Sequence, residues 1–194
     1  MNLEDALLCL RMEAGGFDAA SASSYCAAAV ESGVDLVQVV PDGAGTGLLE
    51  GMRDAARAGG ALFAVVDRID LALKLDLRVV HVDDQRKPVP LIRSQMGAGG
   101  IVGCSSRTEA ELRLLLETEP DYVVHFAGEE CPRIFHGVGA WSGIPLFAGG
   151  VSTLEAARSV VEGGVYRLCA EVSEADSAAL DMLKEFSRIL GRSI

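Results

Sequence analysis

The side chains in this 194-residue sequence that could do chemistry on a small ligand recur at intervals, each just past a short apolar run. His81 follows Val79-Val80, and His125 follows Val123-Val124. A histidine titrates near neutral pH, so both suit general acid–base work or a contact to phosphate, as well as a purely structural role. Asp67 follows Val65-Val66, where its carboxylate can cap the helix that should begin there. Arg11, Arg68, Arg86, Lys87 and Arg107 lie near the same kind of boundary. If they converge they can clamp an anion, and if they pair with Asp67, Asp70, Asp83 and Asp84 they are ordinary surface charge. Gly149-Gly150 leaves room for a phosphate to approach backbone amides where a helix should begin.

The rest of the composition removes whole classes of function. Seventeen basic residues against 28 acidic ones give a net charge of −11, which repels nucleic acid and anionic membranes. A small anionic ligand fits only if positive groups converge locally. Although 49% of residues are hydrophobic, no apolar run reaches the roughly 18 to 20 residues of a membrane span. The opening Met1-Asn2-Leu3-Glu4-Asp5 lacks a basic leader, so a cytoplasmic location is expected. Cys9, Cys26, Cys104, Cys131 and Cys169 form no Cys-x-x-Cys pair, which argues against zinc and disulfides. Gly43-Ala44-Gly45-Thr46-Gly47 lacks the Lys-Ser/Thr ending of a nucleotide loop.

These residues need elements to position them, and β-branched runs alternating with amphipathic segments predict parallel strand–helix units. Eight strands are expected, at 6–11, 36–40, 62–66, 79–82, 101–105, 122–125, 145–148 and 165–170. Capping boxes at Thr108-Glu111 and Ser152-Glu155, and a weaker one at Ser173-Asp176, mark helix starts. Gly33, Gly59-Gly60 and Gly163-Gly164 mark helix ends. The glycine-rich sixth unit, with Pro132, leaves space for only a short helix. The absence of a Gly-x-Gly-x-x-Gly fingerprint after the first strand favours a closed barrel over an open doubly wound sheet. The expected architecture is one α/β domain over 1–194, a (β/α)8 TIM barrel, whose reactive groups sit on the loops at the C-terminal face. Small barrels often pair through helix faces, so a homodimer is expected, with Trp141 as a rim or interface residue.

At those positions the chain resembles thiamine-phosphate synthases and the related TenI-type thiazole tautomerases. The matching segments are Gly33-Val34-Asp35-Leu36-Val37-Gln38, Val65 to Leu73, Val80-His81-Val82, Val102 to Thr108, Pro120 to Val123 and Ile144 to Val151. In that family, magnesium assists loss of pyrophosphate from a pyrimidine diphosphate, and thiazole phosphate captures the cationic carbon. The resemblance implies catalytic roles for Gln38, Asp67 and Ser105, magnesium at Asp67, and phosphate contacts at Gly149, Gly150, Arg68, Arg86, His81 and His125. The chain also departs from the pattern. Val40 and Asp42 stand where the family has arginine and lysine, and Arg86 stands at its second metal aspartate. The Thr-Pro-Thr-Lys loop is missing from 127–131, and Glu171 falls at a phosphate-binding turn. Three functions remain open: a synthase with relocated anion contacts, a tautomerase-like enzyme without magnesium, or a non-catalytic barrel that binds a ligand or a partner.

Overall fold

The computed structural model describes residues 2–83, 87–138, 143–172 and 176–192. The parallel strands β1 (Leu8–Glu13), β2 (Leu36–Val40), β3 (Leu62–Val66), β4 (Val79–Val82), β5 (Ile101–Ser106), β6 (Tyr122–Phe126), β7 (Leu146–Gly149) and β8 (Leu168–Val172) pair in sequence order. β1 closes the ring against β8, with Cys9 opposite Cys169 and Arg11 opposite Glu171. Outside run α1 (Ala19–Glu31), α2 (Thr46–Ala58), α3 (Ile69–Lys74), α4 (Val89–Met96), α5 (Glu109–Leu116), α6 (Cys131–Val138), α7 (Leu154–Glu162) and α8 (Ser177–Ile189). The TIM barrel expected from sequence is the fold.

Strand alternation divides the core in two. One set of side chains fills the lumen: Cys9, Leu36, Ala64, Val79, Tyr122, Val124, Phe147 and Cys169, with Leu3 and Ala6 below them. The opposite set, including Leu10, Val37, Val65, Val80 and Val123, packs beneath the helices. A one-residue slip would exchange the sets, so this pattern fixes which polar residues face the lumen.

Five of the eight helices end on one design. After α7, Gly164 (φ 88°) sends its N–H to the Val161 carbonyl and Val165 sends its own to Val160. The same double closure ends α1 at Gly33-Val34, α2 at Gly60-Ala61, α3 at Asp76-Leu77 and α8 at Gly191-Arg192. This is the Schellman arrangement, in which a left-handed residue turns the chain and the next residue packs back. It corrects the expected start of the eighth strand, because Val165 is apolar to seal α7 and β8 begins only at Leu168. β1 likewise begins at Leu8, since Ala6 plugs the lumen floor. β7 starts one residue later than expected, at Leu146. The Thr108–Glu111 capping box is present. At α7 the cap is Thr153, which accepts from the Ala156 N–H, rather than Ser152. The short sixth helix is α6, while Trp141 and the Ser173–Ala175 part of the third cap lie outside the described residues.

Candidate functional site

The C-terminal ends of the strands surround a buried polar cluster centred on His81. Its Nε2 lies 2.8 Å from Ser105 Oγ, and its Nδ1 lies 3.1 Å from both Gln38 Nε2 and Tyr122 Oη. Gln38 Nε2 also donates to Tyr122 Oη at 3.2 Å. One consistent assignment has Tyr122 O–H donating to Nδ1 and the proton of His81 on Nε2, facing Ser105. Burial pushes the imidazole below its ordinary range, partly opposed by Asp83, so the ring is neutral at pH 7. The structure thus joins Gln38, His81 and Ser105 directly, and Tyr122, which the sequence did not single out, is their fourth member. Alternation predicts it, since Tyr122, Val124 and Phe126 must share one face of β6.

Above this cluster an ion pair crosses the mouth. Arg11 rises from β1, and its Nη1 and Nη2 reach Asp83 Oδ1 at 3.1 Å and Oδ2 at 2.5 Å, just beyond β4. Arg11 Nε lies 4.0 Å from Glu171 of β8, and its Cζ sits 5.7 Å from the centre of the Phe126 ring. Burial opposes ionisation of Asp83, but hydrogen bonds from His81 and Arg11 outweigh it and hold the carboxyl well below the usual range.

Asp67, the residue after β3, adopts a left-handed backbone (φ 59°) that its side chain tolerates only at a cost of about 1 kcal/mol. This turn aims its Oδ1 at the Asp83 N–H (3.1 Å), while Lys87 Nζ donates to its carbonyl (3.1 Å). Magnesium is usually held by one or two carboxylates together with substrate phosphates. Asp83 is committed to Arg11, Lys87 stands 4.0 Å from Asp67 Oδ1, and no group of three metal-binding side chains occurs among the described residues. The expected magnesium carboxylate, Asp67, thus stands beside a lysine, and Asp83 is paired with an arginine.

The remaining expected contacts separate. Gly149 ends β7 against the Phe126 ring, and Gly150 (φ 73°) lies against the Gly128 backbone, which is also left-handed at φ 53°. Arg107, just past β5, places its guanidinium 5.3 Å from the centre of the same Phe126 ring. Among the described residues no carboxylate lies within ion-pair distance of it. Arg68 is held in a two-point pair by Asp70 on the exposed start of α3 (2.8 and 2.6 Å). His125, odd in register, faces outward, where Nδ1 meets Ser106 Oγ at 2.8 Å and the ring packs on Phe135 of α6. It cannot reach a ligand at the mouth. Arg86 lies outside the described residues. Phe126 and Gly128, absent from the sequence expectations, link Arg107 to the Gly149-Gly150 turn.

Residues 14–128 match the family model described as thiamine monophosphate synthase. The chain belongs to that family. The thiamine-phosphate synthase of Mycobacterium sp. (strain KMS) is 31% identical over 113 residues, covering 52% of this chain and 50% of the relative. The Streptomyces avermitilis thiamine-phosphate synthase is 39% identical over 93 residues, covering 46% and 43% respectively. The match thus spans about half the length of these curated relatives. A thiamine phosphate pyrophosphorylase from Pyrococcus furiosus shares the fold over 98% of both chains, with a TM-score of 0.81 and 21% identity. A tryptophan synthase chain from M. tuberculosis shares it more distantly, with a TM-score of 0.75 and 14% identity over 95% of this chain and 92% of that one. Family membership and the barrel are therefore secure. Among the described residues no helix is long and apolar enough to cross a membrane.

Proposed function

We propose that this member of the family binds a small phosphorylated ligand of the thiazole phosphate type at the rim of the barrel mouth, without running magnesium-assisted loss of pyrophosphate. The observation that carries the reading is Arg107, a guanidinium with no carboxylate partner among the described residues, resting on the ring that also packs against Gly149. Beside it the Gly150 and Gly128 turns approach within 3.5 Å of one another, measured from the place a Gly150 Cβ would occupy. A side chain there would cover backbone that a phosphate needs. A cation beside a glycine turn suits a phosphate monoester.

The same geometry speaks against the full family reaction. Pyrophosphate would need cations where Val40 and Asp42 stand, and it would meet Asp83 and Glu171 with Arg11 already committed between them. The tautomerase reading gains no support either, since both ring nitrogens of His81 are engaged and His125 faces away.

The test is thermal denaturation with thiazole phosphate, its dephosphorylated alcohol as control, and a parallel incubation with the pyrimidine diphosphate and magnesium. Saturating thiazole phosphate should stabilise the fold by about 2–3 kcal/mol, the alcohol should not, and no pyrophosphate should appear. Equal responses to both compounds would remove the rim site, whereas pyrophosphate release would restore the synthase reading.

A further inference from the structure

We infer that the centre of the barrel mouth is a binding site for a planar, delocalised cation, and that this chain fills it with its own Arg11. The side chain does not stay on the wall that carries it. It leaves β1, crosses the opening, and takes contacts from three other parts of the ring: Asp83 after β4, Phe126 on β6 and Glu171 on β8. Each contact suits a flat cation. The fork of Nη1 and Nη2 meets both oxygens of one carboxylate, and the ring of Phe126 faces the guanidinium carbon. The Arg11 side chain is 13% exposed and that of Asp83 24%, so water does little of this work. His81 adds no positive charge from below, because its ring is neutral and its Nε2 lies 3.4 Å from Asp83 Oδ1.

Two carboxylates thus share one guanidinium, and removing it would leave half-buried Asp83 with only the neutral His81 ring beside it. A site of that charge and shape accepts guanidinium or amidinium compounds and rejects anions. The inference goes beyond the rim phosphate reading and shares with it only the Phe126 ring, on which both Arg11 and Arg107 rest.

The experiment is chemical rescue of Arg11→Ala. Its melting midpoint should fall by roughly 5–15 °C, and millimolar methylguanidinium should recover most of that loss. Methylammonium or sodium chloride at equal concentration should not, because neither offers a planar fork. Wild type should not respond, its site being filled. If Arg11→Ala folds only when refolded with methylguanidinium, the inference stands. The double variant Arg11→Ala/Asp83→Asn removes the stranded charge, so it should fold alone and ignore methylguanidinium. Rescue by all three salts alike, an unchanged midpoint, or failure of Arg11→Ala to respond while the double variant folds would each overturn it. Thiazole phosphate affinity measured on the same variant reports the rim site separately.

Discussion

Gly103 on β5 and Tyr122 on β6 are register partners, and a Cβ on Gly103 would fall 2.0 Å from the Cζ of the tyrosine ring. The ring lies flat in space that any other residue would claim. Tyr122 is fully buried and hydrogen-bonded to Gln38 and His81, so it has no alternative place. Gly103→Ala should therefore cost about 3 kcal/mol or more by overpacking. Urea denaturation measures the loss, and Gly103→Ala/Tyr122→Phe should recover little, because the clash is with the ring as well as the hydroxyl.

Arg107→Ala should weaken thiazole phosphate binding about 10- to 100-fold, the loss of one or two charge-assisted hydrogen bonds. Its guanidinium is exposed and makes no ion pair with a described residue, so the melting midpoint without ligand should hardly move. Calorimetric titration of both proteins separates the two effects.

Asp35 is nearly buried, and its Oδ2 accepts the N–H groups of Leu7 and Leu8 at 2.8 and 3.0 Å. The same carboxylate holds Arg192, with Nη1 at 2.8 Å and Nη2 at 2.7 Å. Asp35→Ala strands two amides and a guanidinium, and should cost about 3–5 kcal/mol. Arg192→Ala should cost less, since the amides still hold Asp35. Comparing the two by thermal melting tests that order.

Stability should fall as pH drops from 7.5 to 5. Burial lowers the pKa of His81 against Asp83, and that of His125 against Glu111 and Glu109. Both rings take up protons at lower pH in the fold than in the unfolded chain, which does so below about pH 6.5. Their contribution is thus complete above that value and is lost as pH falls through the folded pKa values. With two such groups the slope reaches at most about 2.7 kcal/mol per pH unit. His125→Asn should roughly halve it, which urea titrations at pH 7.5 and 5.5 will show.

The barrel was readable because its signals are local. Alternation, glycine ends and the Thr108 cap each depend on a few neighbouring residues, and β2, β3 and β4 fall at the predicted positions. The errors came where one apolar residue served another purpose, as Val165 does in closing α7. At the mouth, Gln38, His81 and Ser105 were visible as strand-end residues, but facing direction was not weighed, and parity alone turns His125 outward. The Arg11–Asp83 pair joins positions 72 residues apart, and only closure of the ring brings them together. Spacing along a chain carries no information about which strands face each other across a barrel.

The seam between β1 and β8 has a consequence for biosynthesis. Leu8 must wait for Leu168 before its edge is covered, a delay of about 8 to 30 s at ribosomal rates of roughly 5–20 residues per second. Throughout that interval the nascent protein presents a bare parallel edge of apolar residues. Until β8 is made, that edge is open to pairing with neighbouring chains.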